Sequence, residues 1–133
     1  MLPDLDRREL AAIFAGGVVG ALARTALTRA FPDSAGAWPW ATLAVNVAGA
    51  FMLGLFVTRL AERLPTSAYK RPFLGTGVCG ALTTFSTVQL QLFEMARNHH
   101  WGLLAGYGAA TVAASLIAVW LATALARRVR TLL

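Results

Sequence analysis

Four apolar runs, each long enough to cross a bilayer and each closed by charge or turn formers, leave this chain few ways to fold. They cover roughly residues 9–30, 38–60, 72–96 and 101–126. A helix needs about 20 apolar residues to span the hydrocarbon core. Only 14% of the residues are charged and 57% are hydrophobic, against about 25% charged in an ordinary soluble domain. The runs take up most of the 133 residues, so no soluble domain is expected beside them. The chain therefore reads as an all-α integral membrane protein, one four-helix domain over residues 1–133. The first ten residues mix charges of both signs and lack a small-residue cleavage pattern, so no removable leader is expected.

The third run departs from a plain membrane helix. Between Gly75 and Thr87 it carries three glycines (Gly75, Gly77, Gly80) and five hydroxyls (Thr76, Thr83, Thr84, Ser86, Thr87). Each glycine lowers helix preference by about 1 kcal/mol relative to alanine. Backbone that leaves the helix within hydrocarbon must find partners inside protein or line a water-filled path. Either a tight helix crossing or a broken helix at a functional site would account for the stretch.

Polar side chains at membrane depth are the candidates for function. Asn46, in the second run, could offer its amide to an anion or tie its helix to a neighbour. Tyr107, Thr111 and Ser115 recur at i, i+4 and i+8, which places three hydroxyls on one face of the fourth helix. Phe85 sits among hydroxyls, and the electropositive edge of its ring can face an anion without holding it tightly. Arg24 could snorkel to the interface or line a vestibule and raise the local anion concentration. Cys79, the single cysteine, reads as a small apolar filler. His99 and His100 read as solvated loop residues.

Charge sits at the ends of the runs, the pattern of membrane anchoring rather than of nucleic-acid binding. Arg7, Arg8, Arg59, Arg63, Lys70, Arg71, Arg127, Arg128 and Arg130 fall on one side, and Arg24, Arg29 and Arg97 on the other. The positive-inside rule then places both termini in the cytoplasm. Trp38 and Trp40 flank Pro39 at the start of the second run, as interfacial aromatics do. Gly16 and Gly20, and Ala50 and Gly54, form small-residue pairs four apart, which permit close helix approach. Four helices enclose little on their own, so these small faces imply association, as a dimer.

Signals of an enzyme are missing. The sequence has no His-x-x-x-His or Cys-x-x-Cys spacing and no pair of carboxylates at membrane depth. Residues 75–80 match the letters of G-x-G-x-x-G, but no strand precedes them, so the dinucleotide reading fails its own context. Proton-coupled export lacks an ionisable group in the span other than Glu94 near a helix end.

Three motifs carry a family resemblance: Gly16-Gly17-x-x-Gly20-Ala21-x-x-Arg24, Trp38-Pro39-Trp40-x-Thr42-Leu43-x-x-Asn46-x-x-Gly49, and Thr76-Gly77-x-Cys79-Gly80-x-Leu82-Thr83-Thr84-Phe85-Ser86-Thr87. In order and spacing they resemble the small fluoride channels, the Fluc or CrcB family. The resemblance implies passive export of fluoride from the cytoplasm through the plasma membrane (the cell inner membrane). It further implies an antiparallel, dual-topology dimer with two pores and a third helix broken at mid-membrane. A structural sodium ion at the dimer interface would be held by the backbone carbonyls of Gly80 and Thr83. The fluoride pathway would use Asn46, Phe85, the hydroxyls of Thr84, Ser86 and Thr87, and the track Tyr107, Thr111 and Ser115, with Arg24 towards a vestibule.

The sequence departs from the family pattern at Val88, where a second phenylalanine is common, at Gln91 for glutamate, and at Ala81 for glycine. The lopsided charge also departs from a chain that must insert both ways. It points to pairing with an oppositely oriented paralogue as an alternative to a homodimer. A non-conducting structural or partner subunit of a heteromeric membrane assembly is the second reading.

Overall fold

The computed structural model describes residues 6–34, 36–62 and 69–130. Arg63, counted above among the basic residues, lies outside them. Helix α1 spans Arg7–Ala30 and α2 spans Trp40–Glu62. A π-helical segment, Pro72–Cys79, runs into a single turn, α3 (Gly80–Leu82). Helix α4 is Phe85–Arg97 and α5 is Trp101–Arg130. No strand occurs among the described residues. Three helices, α1, α2 and α5, are each long and apolar enough to cross a membrane. The third run comes in pieces, interrupted at Thr83 and Thr84.

Local chemistry sets the boundaries. Asp6 caps α1, its carboxylate accepting from the Arg8 backbone N–H at 2.9 Å, which satisfies one of the orphan donors of a helix start. Pro39 precedes α2, and its carbonyl accepts the Leu43 N–H at 3.1 Å. Between α4 and α5 the chain reverses in three residues. His99 takes a positive φ of 59°, and the His100 N–H closes back on the Met95 carbonyl at 2.8 Å. This is the left-handed helix ending that lets α5 start at once beside α4.

The helices pair by close backbone approach. Helix α1 lies along the π-helical segment, and α2 lies along α5. A Cβ at Gly16 would run into the carbonyl of Phe73, and one at Gly20 into the carbonyl of Val78. From the other side, a Cβ at Gly77 would come within 2.7 Å of the Ile13 carbonyl. At the α2–α5 crossing, a Cβ at Gly54 would come within 2.9 Å of the Val119 carbonyl. The small faces at Gly16, Gly20 and Gly54 are thus taken up by contacts inside the chain. Small residues in membranes favour whichever helix lies near, and the nearest helices here are the chain's own.

The inner core is correspondingly thin. Val88, Met95 and Tyr107 form its buried centre at the α4–α5 hairpin, with Trp38 and Leu92 packed against it. The Trp38 ring meets Tyr107 edge-on, with centroids 5.8 Å apart, a favoured aromatic arrangement. Cys79 is 2% exposed, in keeping with a filler role. Only 11% of the most apolar stretch of α1 is buried within the chain. Large side chains such as Phe14, Leu22, Leu116 and Trp120 face outward, as lipid-facing residues do.

The glycine contacts give a sharp contrast between neighbours. Gly16→Ala is expected to destabilise the fold by about 1–3 kcal/mol, because its methyl meets backbone that cannot rotate away. Gly17→Ala, with nothing within 4 Å of the added carbon, should be neutral or stabilising by up to about 1 kcal/mol. Thermal unfolding of both variants in detergent micelles checks the pair.

Candidate functional site

The interruption between α3 and α4 is built by Thr83 and Thr84. Both are extended, with φ −76° and ψ 153° at Thr83 and φ −146° and ψ 118° at Thr84. The Thr83 hydroxyl bonds back to the Cys79 carbonyl at 2.9 Å. Thr84 caps the next helix, its Oγ1 accepting the Thr87 N–H at 3.2 Å. Threonine favours such side-chain bonds over continuing a helix.

Two extended residues inside an apolar bundle strand backbone groups that cost several kcal/mol each if left unpaired. Asn46 resolves this from α2. Its Nδ2 donates to the Thr84 carbonyl at 3.1 Å, and its Oδ1 accepts the Thr84 N–H at 2.7 Å. Both residues are buried. Of the two roles open to Asn46 from sequence, the structure shows the interhelical tie. One amide hydrogen of Nδ2 is left over from that pair.

The same bonds release two carbonyls. The Thr84 N–H goes to Asn46 and the Thr87 N–H to Thr84 Oγ1. Gly80 and Thr83 therefore lose the i+4 donors that a continuous helix would give them. Gly80 is exposed, with nothing within 4 Å of where a Cβ would stand. Released carbonyl oxygens are hard, neutral ligands of the kind that suit a small hard cation. Thr83 already draws a positive group within the chain: Arg24 Nη1 lies 3.4 Å from its carbonyl oxygen. Arg24 is half-buried and turned towards the interruption, not simply towards the interface.

A cleft of about 570 Å³ opens beside the interruption. Its lining brings together Asn46, Gly80, Thr83, Thr84, Phe85, Thr111 and Ser115, with Val88 among them. Thr111 Oγ1 is buried without a hydrogen-bond partner. Phe85 stands at the rim, 76% exposed. Three predicted pathway residues are not on this lining. Thr87 is bonded to Thr84 Oγ1 at 2.9 Å. Ser86 lies 3.3 Å from the same hydroxyl. Tyr107 is fully buried and donates to Gln91 Oε1 at 2.7 Å.

That last bond belongs to a network the sequence reading passed over. Gln91 Nε2 donates to Asp33 Oδ2 at 2.7 Å and to Thr42 Oγ1 at 2.9 Å. From sequence, Gln91 reads only as a departure from glutamate. Its register with Val88 and Met95, at i−3 and i+4, was the available signal, since it puts a polar amide on the buried face of α4. Asp33 gave no such signal, because only the folded loop brings it to α4.

The geometry meets its relatives here. A sequence profile of the CrcB-like family, described as camphor resistance (CrcB), matches residues 11–123. The chain belongs to the CrcB family. A relative from Mycolicibacterium paratuberculosis named fluoride-specific ion channel FluC 1 is 59% identical over 125 residues, covering 94% of this chain and 95% of that protein. One from Mycobacterium tuberculosis bearing the same name is 58% identical over 130 residues, covering 97% and 98%. A Streptomyces coelicolor relative, again named FluC 1, is 41% identical over 120 residues, covering 90% and 78%. Family membership and the three apolar helices together make this a multi-pass membrane protein.

The Asn46–Thr84 pair makes a direct prediction. Asn46→Leu keeps the volume but orphans a buried N–H and a buried C=O, at about 1–3 kcal/mol each. Chemical unfolding in micelles should show a loss of about 2–5 kcal/mol, larger than for Thr87→Val, which leaves both groups paired.

Proposed function

We propose that this chain is a subunit of a fluoride channel, which lets fluoride leave the cytoplasm passively, down its electrochemical gradient. The function is transport and not catalysis. The observation that carries the reading is near-full-length identity of 58–59% to proteins named fluoride-specific ion channels. The cleft supports it chemically. Fluoride is a small, hard anion that accepts hydrogen bonds and donates none. Thr111 and Ser115 offer hydroxyl protons along one wall. The spare amide hydrogen of Asn46 and the edge of the Phe85 ring offer positive character along the other. Thr84, Ser86 and Thr87 act one step back, by holding the turn that presents Phe85. Arg24 supplies positive charge near the mouth and so raises local anion concentration.

The assembly we propose is an antiparallel dimer in the plasma membrane, with the third run crossing as two half-helices. The exposure of Phe85 supports a pathway completed at or near a partner surface. Gly80 and Thr83 are the residues that would hold a structural sodium ion, through carbonyls freed from helix bonds. When bound, the ion would supply a fixed positive charge that neutralises those dipoles. On this reading both termini lie in the cytoplasm. The uneven distribution of Lys and Arg favours a partner inserted the opposite way, a paralogue if not a second copy.

A fluoride electrode on liposomes containing the purified chain tests the reading. Fluoride efflux well above that of empty vesicles is expected, with chloride efflux near background. Phe85→Ile, which removes the ring edge while keeping bulk, should lower fluoride flux by at least about tenfold, the equivalent of roughly 1.4 kcal/mol. Flux that appears only when a second family member is co-inserted would identify a heterodimer. No fluoride flux in either case would refute the channel reading and leave a structural subunit.

A further inference from the structure

A hydrogen-bond network at the α4–α5 end, buried at Thr42, Gln91 and Tyr107 and reaching the exposed Asp33, stands apart from the cleft and has a direction. Four elements meet in it: the loop before α2 through Asp33, α2 through Thr42, α4 through Gln91, and α5 through Tyr107. Gln91 Nε2 lies 2.7 Å from Asp33 Oδ2 and 2.9 Å from Thr42 Oγ1, and Gln91 Oε1 lies 2.7 Å from the Tyr107 hydroxyl. Gln91 is 9% exposed and Tyr107 is fully buried.

Chemistry fixes which way these bonds run. An ionised carboxylate only accepts hydrogen bonds. Asp33 therefore requires the NH₂ end of Gln91 to face it, which leaves the carbonyl end for Tyr107. A carbonyl also only accepts, so Tyr107 must donate. Thr42 does not decide the matter, since a hydroxyl can donate or accept. Of the two partners of Nε2, only Asp33 is restricted to accepting, so Asp33 is the one that sets the amide. The result is that the Tyr107 proton points to Gln91, while Thr111, one turn along α5, keeps a buried hydroxyl with no partner.

We propose that Asp33 is a positioning residue that fixes the polarity of the Gln91–Tyr107 pair and so withholds the Tyr107 proton from the anion path. A hydroxyl assists fluoride only by donating to it. With Asp33 in place, Tyr107 can donate towards the track only by breaking its bond to Gln91. Without the carboxylate, the Gln91 amide is free to turn over. Its NH₂ then faces the Tyr107 oxygen, and the Tyr107 proton is released towards Thr111. The loop before α2 thereby sets how many hydroxyl protons line the track. The effect on flux rests on the fluoride-channel reading, whereas the bond direction does not.

Two measurements on the full chain separate these. Glu94 and His100 line the small cleft of about 290 Å³ next to Asp33 and Gln91, so both are made at one fixed pH. Side-chain amide NMR in micelles should show a Gln91 Nε2 proton shifted downfield by its carboxylate partner. The shift should vanish in Asp33→Asn and persist in Asp33→Glu. In liposomes, Asp33→Asn should raise fluoride flux roughly threefold, the scale of one net hydrogen bond, and Asp33→Glu should keep the wild-type rate. Tyr107→Phe should then lower flux by about threefold more in the Asp33→Asn background than in the wild type, a coupling that a purely structural Asp33 would not produce. An unchanged amide signal in Asp33→Asn overturns the proposal whether or not fluoride moves. Equal Tyr107→Phe effects in both backgrounds, or an Asp33→Asn flux at or below wild type, overturn it as well. If no variant conducts fluoride, the channel reading fails and the proposed withholding of a proton from an anion path falls with it, while the amide signal still reports the bond direction.

Discussion

One side-chain amide holds the interrupted helix in place. The backbone at Thr84 leaves helical geometry inside an apolar bundle, where water cannot satisfy it. Asn46 meets both the N–H and the C=O of that residue at once. A side chain with a donor and an acceptor on one planar group is needed for this, and asparagine is the shortest that has both. Remove the pair and the chain has two poor choices. It can bury unpaired peptide groups, or it can close the helix and withdraw the freed carbonyls of Gly80 and Thr83. The cleft, the carbonyls and the position of Phe85 all depend on that single reciprocal contact between α2 and the third run.

The interruption also needs support from the other side. Helix α1 approaches the π-helical segment so closely that Gly16, Gly20 and Gly77 leave no room for a methyl group. The wider turn of a π-helix changes which groups face a neighbour, and such turns are often found at functional sites. The third run is therefore clamped between two different kinds of contact. On one face it has bare backbone against backbone, and on the other an amide against an opened turn. The hydrogen bonds of Asn46 pair the backbone that the break exposes.

Much of this was legible in advance, and for physical reasons. Apolar runs of membrane length, ended by Arg, Lys and Pro, point to helices because only helices and closed barrels satisfy their backbone in lipid. The helix ends found for α1 and α2 fall within two residues of those expected. The cluster of glycine and threonine at 75–87 marked the irregular stretch because each weakens a helix. Thr111 and Ser115 share a face by spacing alone, and they do line the cleft. Tyr107 shares the same spacing and does not. Its ring is long enough to bring the hydroxyl into contact with Gln91. Periodicity places a Cα on a face, but the length of the side chain decides where its polar atom ends.

The sequence by itself determined the helical membrane class, the irregular third run, the set of polar groups and the family. These follow from local properties: hydropathy over a window, helix preference and residue order. Tertiary structure decided which partner each of these groups takes. Asn46 reaches across 38 positions of sequence to Thr84, and Gln91 reaches across 58 to Asp33. Gly16 and Gly20 could have served another subunit and serve the chain's own third run instead. Hydrogen-bond capacity and small size are written in the residue type, but a bond or a close approach exists only between two groups that the fold has brought together.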